Sequence, residues 1–148
     1  MEERFKTFTV LMANINRNIR RIKTEEMAEF QLKSPHVSCL YYLYKEDGMT
    51  AKELCDVCEE DKANISRSIE YLKTNGYLVR QPQDNKKYKN HLALTEKGRQ
   101  VGERIAEKID RIIEEAGEGV SEECRDIMYR SLFMINSNLQ KRCSAYEK

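Results

Sequence analysis

Apolar residues recur at helical spacing in the first segment of the chain. Successive members are three or four residues apart: Phe5, Phe8, Met12, Ile15, Ile19 and Ile22. This nearly heptad spacing predicts one long amphipathic helix, which Met27 and Phe30 extend to about residue 32. Because so long an apolar stripe needs a partner surface, we expect the first five of these side chains to lie in a dimer interface.

Capping signals divide the next part of the chain into helices. Ser34-Pro35 is typical of an N-cap followed by proline at the first helical position. Thr50-Ala51-Lys52-Glu53 is a capping box, which predicts a short helix at residues 50–58. Asp61 is placed to cap a further helix that ends at Asn75-Gly76 and turns Ile65, Ile69 and Leu72 towards the core.

The spacing of apolar residues becomes strand-like after residue 76. Residues 77–81 and 91–94 are short runs typical of strands. The stretch between them, residues 82–90, is polar and basic and contains Pro82, which is typical of a hairpin tip. We therefore predict a two-stranded β wing.

Two further helices are predicted after the wing. Thr95 and Ser121 are placed to cap them, and the first has an apolar face that begins at Val101. On the last helix, apolar residues expected to face inward recur at helical spacing: Cys124, Ile127, Met128, Leu132, Ile135 and Leu139. We predict that the last three join the first helix in dimerisation. The dimerisation helices then comprise residues 1–32 and 98–145.

The composition is that of an ordinary soluble globular chain. Hydrophobic residues make up 40% and charged residues 34% of the 148 residues, which is too apolar for a disordered chain. No run approaches the length of a membrane span and no signal peptide is recognisable, so we expect a cytoplasmic protein without membrane contact. The five cysteines are an odd number, which argues against a disulfide scaffold. A single domain over residues 1–148 is expected.

Charge is unevenly distributed along the chain, although its formal net value is only +1. Residues 62–100 contain nine Lys and Arg against three Asp and Glu, whereas residues 24–61 contain three against ten. A basic segment in a nearly neutral protein is typical of a face that binds a polyanion. It is equally typical of a solvated helix surface with compensating neighbours.

The order of the central elements favours a polyanion, and specifically DNA. Helices at 50–58 and 61–75 followed by a basic hairpin form the pattern of a winged helix-turn-helix. A helix fits the major groove and offers its N-terminal half to base edges, while a basic hairpin reaches phosphates. We therefore predict that residues 34–97 bind double-stranded DNA. The side chains expected at the DNA are Lys62, Asn64, Ser66 and Arg67 of the helix and Lys86, Lys87 and Lys89 of the hairpin.

Four motifs occur in a fixed order within residues 49–98. They are Met49–Leu54 at the start of the first motif helix, Asp61–Arg67 at the start of the second, Leu72–Leu78 at its exit and Leu92–Gly98 after the wing. In sequence, order and spacing they resemble the winged helix-turn-helix of the MarR family of bacterial transcription regulators. The long flanking helices resemble that family's dimerisation region, so the resemblance covers nearly the whole chain.

The resemblance implies about six helices and a small antiparallel hairpin. It implies a homodimer that binds a pseudo-palindromic operator, and repression that is relieved by a small, often aromatic, effector near the junction of the dimer helices and the DNA-binding lobe. The chain departs from the family in two places. The wing has Asp84-Asn85-Lys86 where Asp-x-Arg is usual, and lysine favours a phosphate contact. The turn has Glu59 and Glu60 where glycine and an apolar residue are usual.

Cys55-Asp56-Val57-Cys58 is a C-x-x-C pattern, which redox and zinc sites also use. It falls within a predicted short helix, and no second pair completes a set of four zinc ligands, so we predict structural cysteines. Two alternatives stay open: a thiol-based redox-sensing regulator, and a thiol oxidoreductase that uses Cys55 and Cys58. No nucleophile–base pair, phosphate loop or ligand cluster is recognisable, so we expect no enzyme, metal or cofactor.

Overall fold

The computed structural model describes residues 4–80 and 91–147, which are mainly helical. The elements in chain order are α1 (Arg4–Glu26), a single 3-10 turn (Ala28–Phe30), α2 (Ser34–Lys45), α3 (Ala51–Val57), α4 (Lys62–Thr74), α5 (Glu96–Ala116) and α6 (Glu122–Ser144). The described chain thus agrees with the predicted mainly helical class. It forms two compact units, Met1–Ile109 and Asp110–Lys148. Of the helices described, none is both long and apolar enough to cross a membrane.

The core of the first unit forms around α2 and α4. Val37 and Leu40 of α2 and Ile65 and Leu72 of α4 are all 0% exposed. Burying an aliphatic side chain of this size stabilises the fold by about 1.5–3 kcal/mol. Ile69 of α4 is also buried, so the inward positions predicted from helical spacing on α4 are confirmed.

Side-chain caps begin α3 and α4 where the sequence predicted them. Thr50 Oγ1 accepts a hydrogen bond from Glu53 N at 3.1 Å, and Thr50 N donates to Glu53 Oε2 at 3.3 Å. Asp61 Oδ1 accepts from Asn64 N at 2.7 Å. These bonds satisfy backbone donors that the first turn of a helix leaves free, so they determine where α3 and α4 begin.

The first helix is shorter than predicted. α1 ends at Glu26 rather than near residue 32, and the chain passes through the 3-10 turn to Gln31, whose φ is 59°. Burial explains the break, because Met27 and Leu32 are 1% and 2% exposed and both enter the core. A continuous helix would place residues five apart on different faces, so the prediction of one helix to residue 32 is wrong.

The start of α2 also differs from the prediction by one residue. Ser34 is the first residue of α2, so its expected role as N-cap is wrong, and Lys33 is the N-cap. Lys33 N donates to His36 Nδ1 at 3.1 Å, and Ser34 N donates to Thr24 Oγ1 at 3.2 Å. Pro35 lies in the first turn, where its missing N–H costs no helical hydrogen bond.

Two isolated antiparallel bridges involve residues that flank 81–90, and the partner of His91 in one of them is Thr50. The other bridge joins Leu78 and Leu94, and beside it Val79 N donates to Ala93 O at 2.8 Å. No strand forms within 4–80 or 91–147, so the two-stranded wing is not confirmed and stays a prediction. The predicted contact residues Lys86, Lys87 and Lys89 lie outside the described residues.

A close backbone approach holds the start of α5 against the chain that leaves α4. Thr95 N donates to Tyr77 O at 3.0 Å, and Thr95 Oγ1 caps α5 by accepting from Gly98 N at 3.0 Å. A Cβ atom at Gly98 would lie 2.1 Å from Tyr77 O. Only glycine permits this approach without a shift of the backbone.

Apolar side chains of α1 and α6 are exposed. In α1, Phe5 is 82% and Ile15 is 49% exposed. α6 has no buried residue, and its Ile127 and Leu139 are 51% and 55% exposed. The expectation that the apolar residues of α6 face inward is therefore wrong for the single chain. The reason is size, because a unit made of α6 and the end of α5 has too few residues to enclose a core.

Candidate nucleic-acid interface

α3 and α4 form a helix-turn-helix packed on α2. Four residues, Cys58–Asp61, join the two helices, where about two were expected. Cys58 N donates to Leu54 O at 2.9 Å at the end of α3. Leu54 and Ile65 are both fully buried, and they anchor the two helices in one core. The polar side chains in the N-terminal half of α4 are thereby left on the opposite side, at the surface.

The predicted base-reading side chains lie on this half of α4. Lys62, Ser66 and Arg67 are exposed, and Asn64 is half-buried. Cationic, amide and hydroxyl groups supply the hydrogen-bond donors and acceptors that base edges and phosphates recognise. The surface has the chemistry of a DNA-reading face.

Asn64 lies between two charged side chains. Asn64 Nδ2 donates to Glu60 Oε2 at 3.2 Å, and Asn64 Oδ1 accepts from Arg67 Nη2. Glu60 also forms an ion pair with Arg20 of α1. The side chain of Glu60 is 3% exposed, whereas that of Arg20 is 39% exposed. A continuous row of four polar side chains therefore runs from α1 to the exposed face of α4.

Glu59 makes a second ion pair with α1. Lys23 Nζ donates to Glu59 Oε1 and, at 2.7 Å, to Ser38 Oγ, and Ser38 Oγ donates to Glu59 Oε1 at 2.7 Å. Burial by itself raises the pKa of Glu59, but the hydrogen bonds from Lys23 and Ser38 outweigh burial and lower this pKa below its ordinary value. Glu59 is therefore an anion throughout the neutral pH range.

The sequence did not predict that two ion pairs link α1 to the helix-turn-helix. The residues that form them are Arg20, Lys23, Glu59 and Glu60. Two signals pointed to them. The acids stand where the resembling family has glycine and an apolar residue, and the two cations lie three residues apart, on one face of a helix. From the sequence, Glu59 and Glu60 stood out only as a departure from the resembling family, and Arg20 and Lys23 did not stand out.

A cleft of about 440 Å³ lies among the end of α1, the start of α2 and the start of α4. Three cations line it, Arg20, Arg21 and Lys33, together with one acid, Glu25. Ser34 also lines the cleft, and its Oγ is buried with no hydrogen-bond partner among the described residues. The cleft therefore has a predominantly cationic wall.

The cysteines of the C-x-x-C pattern occupy different environments. Cys58 ends α3 and is buried, whereas Cys55 is only partly buried against the core. A hydrogen bond with Cys58, together with burial, raises the pKa of Cys39 far above its usual range. A thiol in this state is a poor nucleophile. Across residues 4–80 and 91–147, no group of three His, Cys, Asp or Glu side chains is arranged to hold a metal ion.

Comparison with known proteins shows what these elements are similar to. A sequence model described as MarR family matches residues 30–87, which include α2, α3 and α4. A protein of Bacillus subtilis (strain 168), described as the uncharacterized HTH-type transcriptional regulator YybA, is 22% identical over 127 residues. The match covers 86% of this chain and 85% of that protein.

Solved structures show the same fold over nearly the whole chain. A MarR protein from Peptoclostridium difficile DA00132 superposes with a TM-score of 0.81 at 21% identity, covering 96% of this chain and 93% of that one. A MarR family transcriptional regulator from Listeria monocytogenes, complexed with a 26mer DNA, has a TM-score of 0.77 at 25% identity, covering 96% and 92%. The Bacillus subtilis relative and the Listeria monocytogenes protein are both described as transcriptional regulators. The chain therefore resembles the MarR family over residues 30–87 and shares the fold of MarR structures over nearly its whole length.

Proposed function

We propose that the protein is a sequence-specific, DNA-binding transcription regulator of the bacterial cytoplasm, and that α4 is its recognition helix. The observation that carries this proposal is the exposed, polar N-terminal half of a helix whose opposite face is buried in the core. In this role Asn64 pairs with adenine, Arg67 contacts guanine or a phosphate, and Lys62 and Ser66 flank them. The Listeria monocytogenes structure, which contains DNA, supports the proposal.

The wing supplies affinity rather than base reading. Lys86, Lys87 and Lys89 occupy the polar stretch between the paired segments, where cations reach the DNA backbone. Contacts to phosphates position a protein on the duplex but carry no sequence information. The recognition helix therefore provides sequence specificity, and the wing provides affinity for the DNA backbone.

The protein acts as a homodimer through residues 1–32 and 98–145. The apolar stripe of α1 supports this, because Phe5, Phe8, Met12, Ile15 and Ile19 are each at least 36% exposed. On α6, Leu132 is partly exposed, and Ile135 and Leu139 are 39% and 55% exposed. So many exposed apolar side chains mark an interaction surface. Two-fold symmetry then sets the two recognition helices about 34 Å apart, on a pseudo-palindromic operator.

The protein is a repressor that a small aromatic effector releases from DNA. The cationic cleft supports an effector that carries a negative charge, since three of its lining residues are Arg or Lys. A ligand there contacts both α1 and Asn64 of α4, so it acts on the dimerisation helix and the recognition helix together.

Thiol-based sensing by Cys55 and Cys58 has less support than this function. Cys58 is 9% exposed, and Cys39, which is hydrogen-bonded to it, is 0% exposed. A redox sensor needs an accessible thiol, and Cys58 is buried.

The proposed function is tested by selecting bound DNA from a random pool at several salt concentrations. We expect one pseudo-palindromic sequence to be enriched, with an affinity that falls as salt rises because the wing contacts phosphates. Arg67→Ala serves as the matched variant and should lose the enrichment. Binding without any enriched sequence would overturn the proposal.

A further inference from the structure

We propose that Glu60 determines base specificity by fixing the orientation of the Asn64 amide, and that Arg20 of α1 holds Glu60 in place for this task. The proposal rests on the proposed DNA-binding function of α4 and deepens it. Its basis is the row of contacts from Arg20 through Glu60 and Asn64 to Arg67.

The two neighbours of Asn64 leave its amide one favourable orientation. A carboxylate only accepts hydrogen bonds, so Glu60 faces the amide nitrogen, and a guanidinium only donates, so Arg67 faces the amide oxygen. Rotating the amide by half a turn would set oxygen against carboxylate and nitrogen against guanidinium. Both hydrogen bonds would then be lost and replaced by unfavourable contacts.

This orientation matters because an asparagine recognises a base only when its amide nitrogen and oxygen face the right atoms of that base. Adenine presents an acceptor at N7 and a donor at N6 in the major groove, so the amide must offer its N–H and its oxygen in the matching order. After its bonds to Glu60 and Arg67, the Asn64 amide retains one N–H and one oxygen lone pair. The side chain is thus ordered before DNA binds, which reduces the entropy lost on binding.

Glu60 requires a cation because its carboxylate is buried. Its side chain is 3% exposed, and a buried carboxylate without a partner is strongly destabilised. Arg20 supplies the charge from a different helix, forty residues earlier in the chain. The paired carboxylate also repels nearby phosphates less than a free one would. The helix proposed for dimerisation, α1, therefore contributes to the base specificity of α4.

The test is the isosteric variant Glu60→Gln, compared with the wild type on sequence-substituted duplexes. The base position read by Asn64 is first located with Asn64→Ala. Because a glutamine amide both donates and accepts, residue 60 then no longer selects the orientation of Asn64, and only the exposed Arg67 disfavours the reversed one. We expect Glu60→Gln to reduce the preference at that one position by at least about fivefold, the lower end for a bidentate contact. Preferences at other positions should be unchanged.

Glu59→Gln is the matched control. It removes the same charge one residue away, from a side chain that bonds to Lys23 and Ser38 and not to Glu60's partners Arg20 and Asn64. We expect it to leave the preference at the Asn64 position intact. In the double variant Glu60→Gln with Asn64→Ala, we expect no loss beyond that of Asn64→Ala alone, because Glu60 acts through Asn64.

Three results would overturn the role of Glu60 while leaving DNA binding intact. The first is that Glu60→Gln keeps the wild-type preference at the base position assigned to Asn64. The second is that Glu60→Gln and Glu59→Gln change the preference equally at every position. The third is that Asn64→Ala itself keeps the wild-type preference at every position. If Glu60→Gln does not fold, Arg20→Gln with Glu60→Gln replaces it, since that pair buries no unpaired charge, with the same expected loss. A wild-type protein without any sequence preference would overturn the proposed function itself.

Discussion

Lys23 of α1 and Glu59 of the turn before α4 form an ion pair although they are thirty-six residues apart in sequence. Ser38 of α2 completes the arrangement by donating to Glu59 Oε1 at 2.7 Å. The neighbouring acid, Glu60, pairs with Arg20 one helical turn before Lys23. Two adjacent acids therefore join the end of α1 to the helix-turn-helix.

Replacing Lys23 with alanine should destabilise the first unit. The change leaves Glu59 and Ser38 without their common donor, and loss of a hydrogen bond to a charged group costs about 1.5–3 kcal/mol. The side chain of Glu59 is 35% exposed, so water compensates in part, and we expect about 1–2 kcal/mol. Urea unfolding measures the change. Lys52→Ala on the exposed surface of α3 is the control, and an equal loss in both variants would contradict the prediction.

Stability should fall as the pH drops below about 6.5, the ordinary pKa of histidine, through the titration of His36. Burial first, and then the nearby Lys33, lower the pKa of His36, whose ring stacks on Tyr71 with centroids 4.0 Å apart. With a lowered pKa the folded state binds fewer protons than the unfolded state, so acid favours unfolding. In the His36→Gln variant, the free energy of unfolding should depend less on pH between about pH 7 and pH 5 than in the wild type. Equal slopes for variant and wild type would disprove this.

Gly98→Ala should destabilise the start of α5. The new Cβ would lie 2.1 Å from Tyr77 O, and the obstacle is backbone rather than a flexible side chain. We expect a loss of about 2 kcal/mol, within the usual range for overpacking. Gly117→Ala is the matched control, because its Cβ would meet a side-chain atom, Arg125 Nη1, at 3.1 Å rather than backbone. Thermal unfolding that ranks the two variants in the opposite order would refute the account.

Aspartate at both Ile15 and Ile19 should dissociate the proposed dimer. These side chains are 49% and 37% exposed in the single chain, and an interface would bury the new charges without partners. Sedimentation at micromolar concentration should show a dimer for the wild type and a monomer for the variant. Asn14→Asp with Asn18→Asp adds the same charge at polar positions of α1 and should stay dimeric. A wild-type monomer would falsify the dimer proposal.

Local signals in the sequence predicted much of the fold correctly. The Thr50 and Asp61 caps and the buried positions Ile65 and Leu72 follow from residue type and helical spacing, which act over a few residues. The same signals predicted that Lys62, Ser66 and Arg67 of α4 face away from the core, and these side chains are exposed. They did not predict that α1 ends at Glu26, because this end is determined by the burial of Met27 and Leu32. Such burial depends on tertiary packing, about which helical spacing carries no information.

The candidate site was less accessible to sequence reasoning. The proposed contacts of Asn64 and Arg67 follow from their place at the start of α4, the proposed recognition helix. Their link to α1 does not, because the pairing of Arg20 with Glu60 spans forty residues and depends on how α1 packs beside the turn. Opposite charges in a sequence indicate possible partners but not which of them meet.

The central claim, that α4 reads the base sequence while the wing holds the backbone, is tested most directly by comparing Asn64→Ala with Lys86→Ala. Affinities are measured for the selected operator and for its single-base substitutions over a series of salt concentrations. We expect Asn64→Ala to cost about 1–3 kcal/mol per half-site and to relax the preference at one base position. Lys86→Ala should weaken binding to all sequences alike and reduce the salt slope by about one per lost phosphate contact in each subunit. The reverse result, with the wing variant changing the sequence preference and the helix variant losing affinity uniformly, would contradict the account.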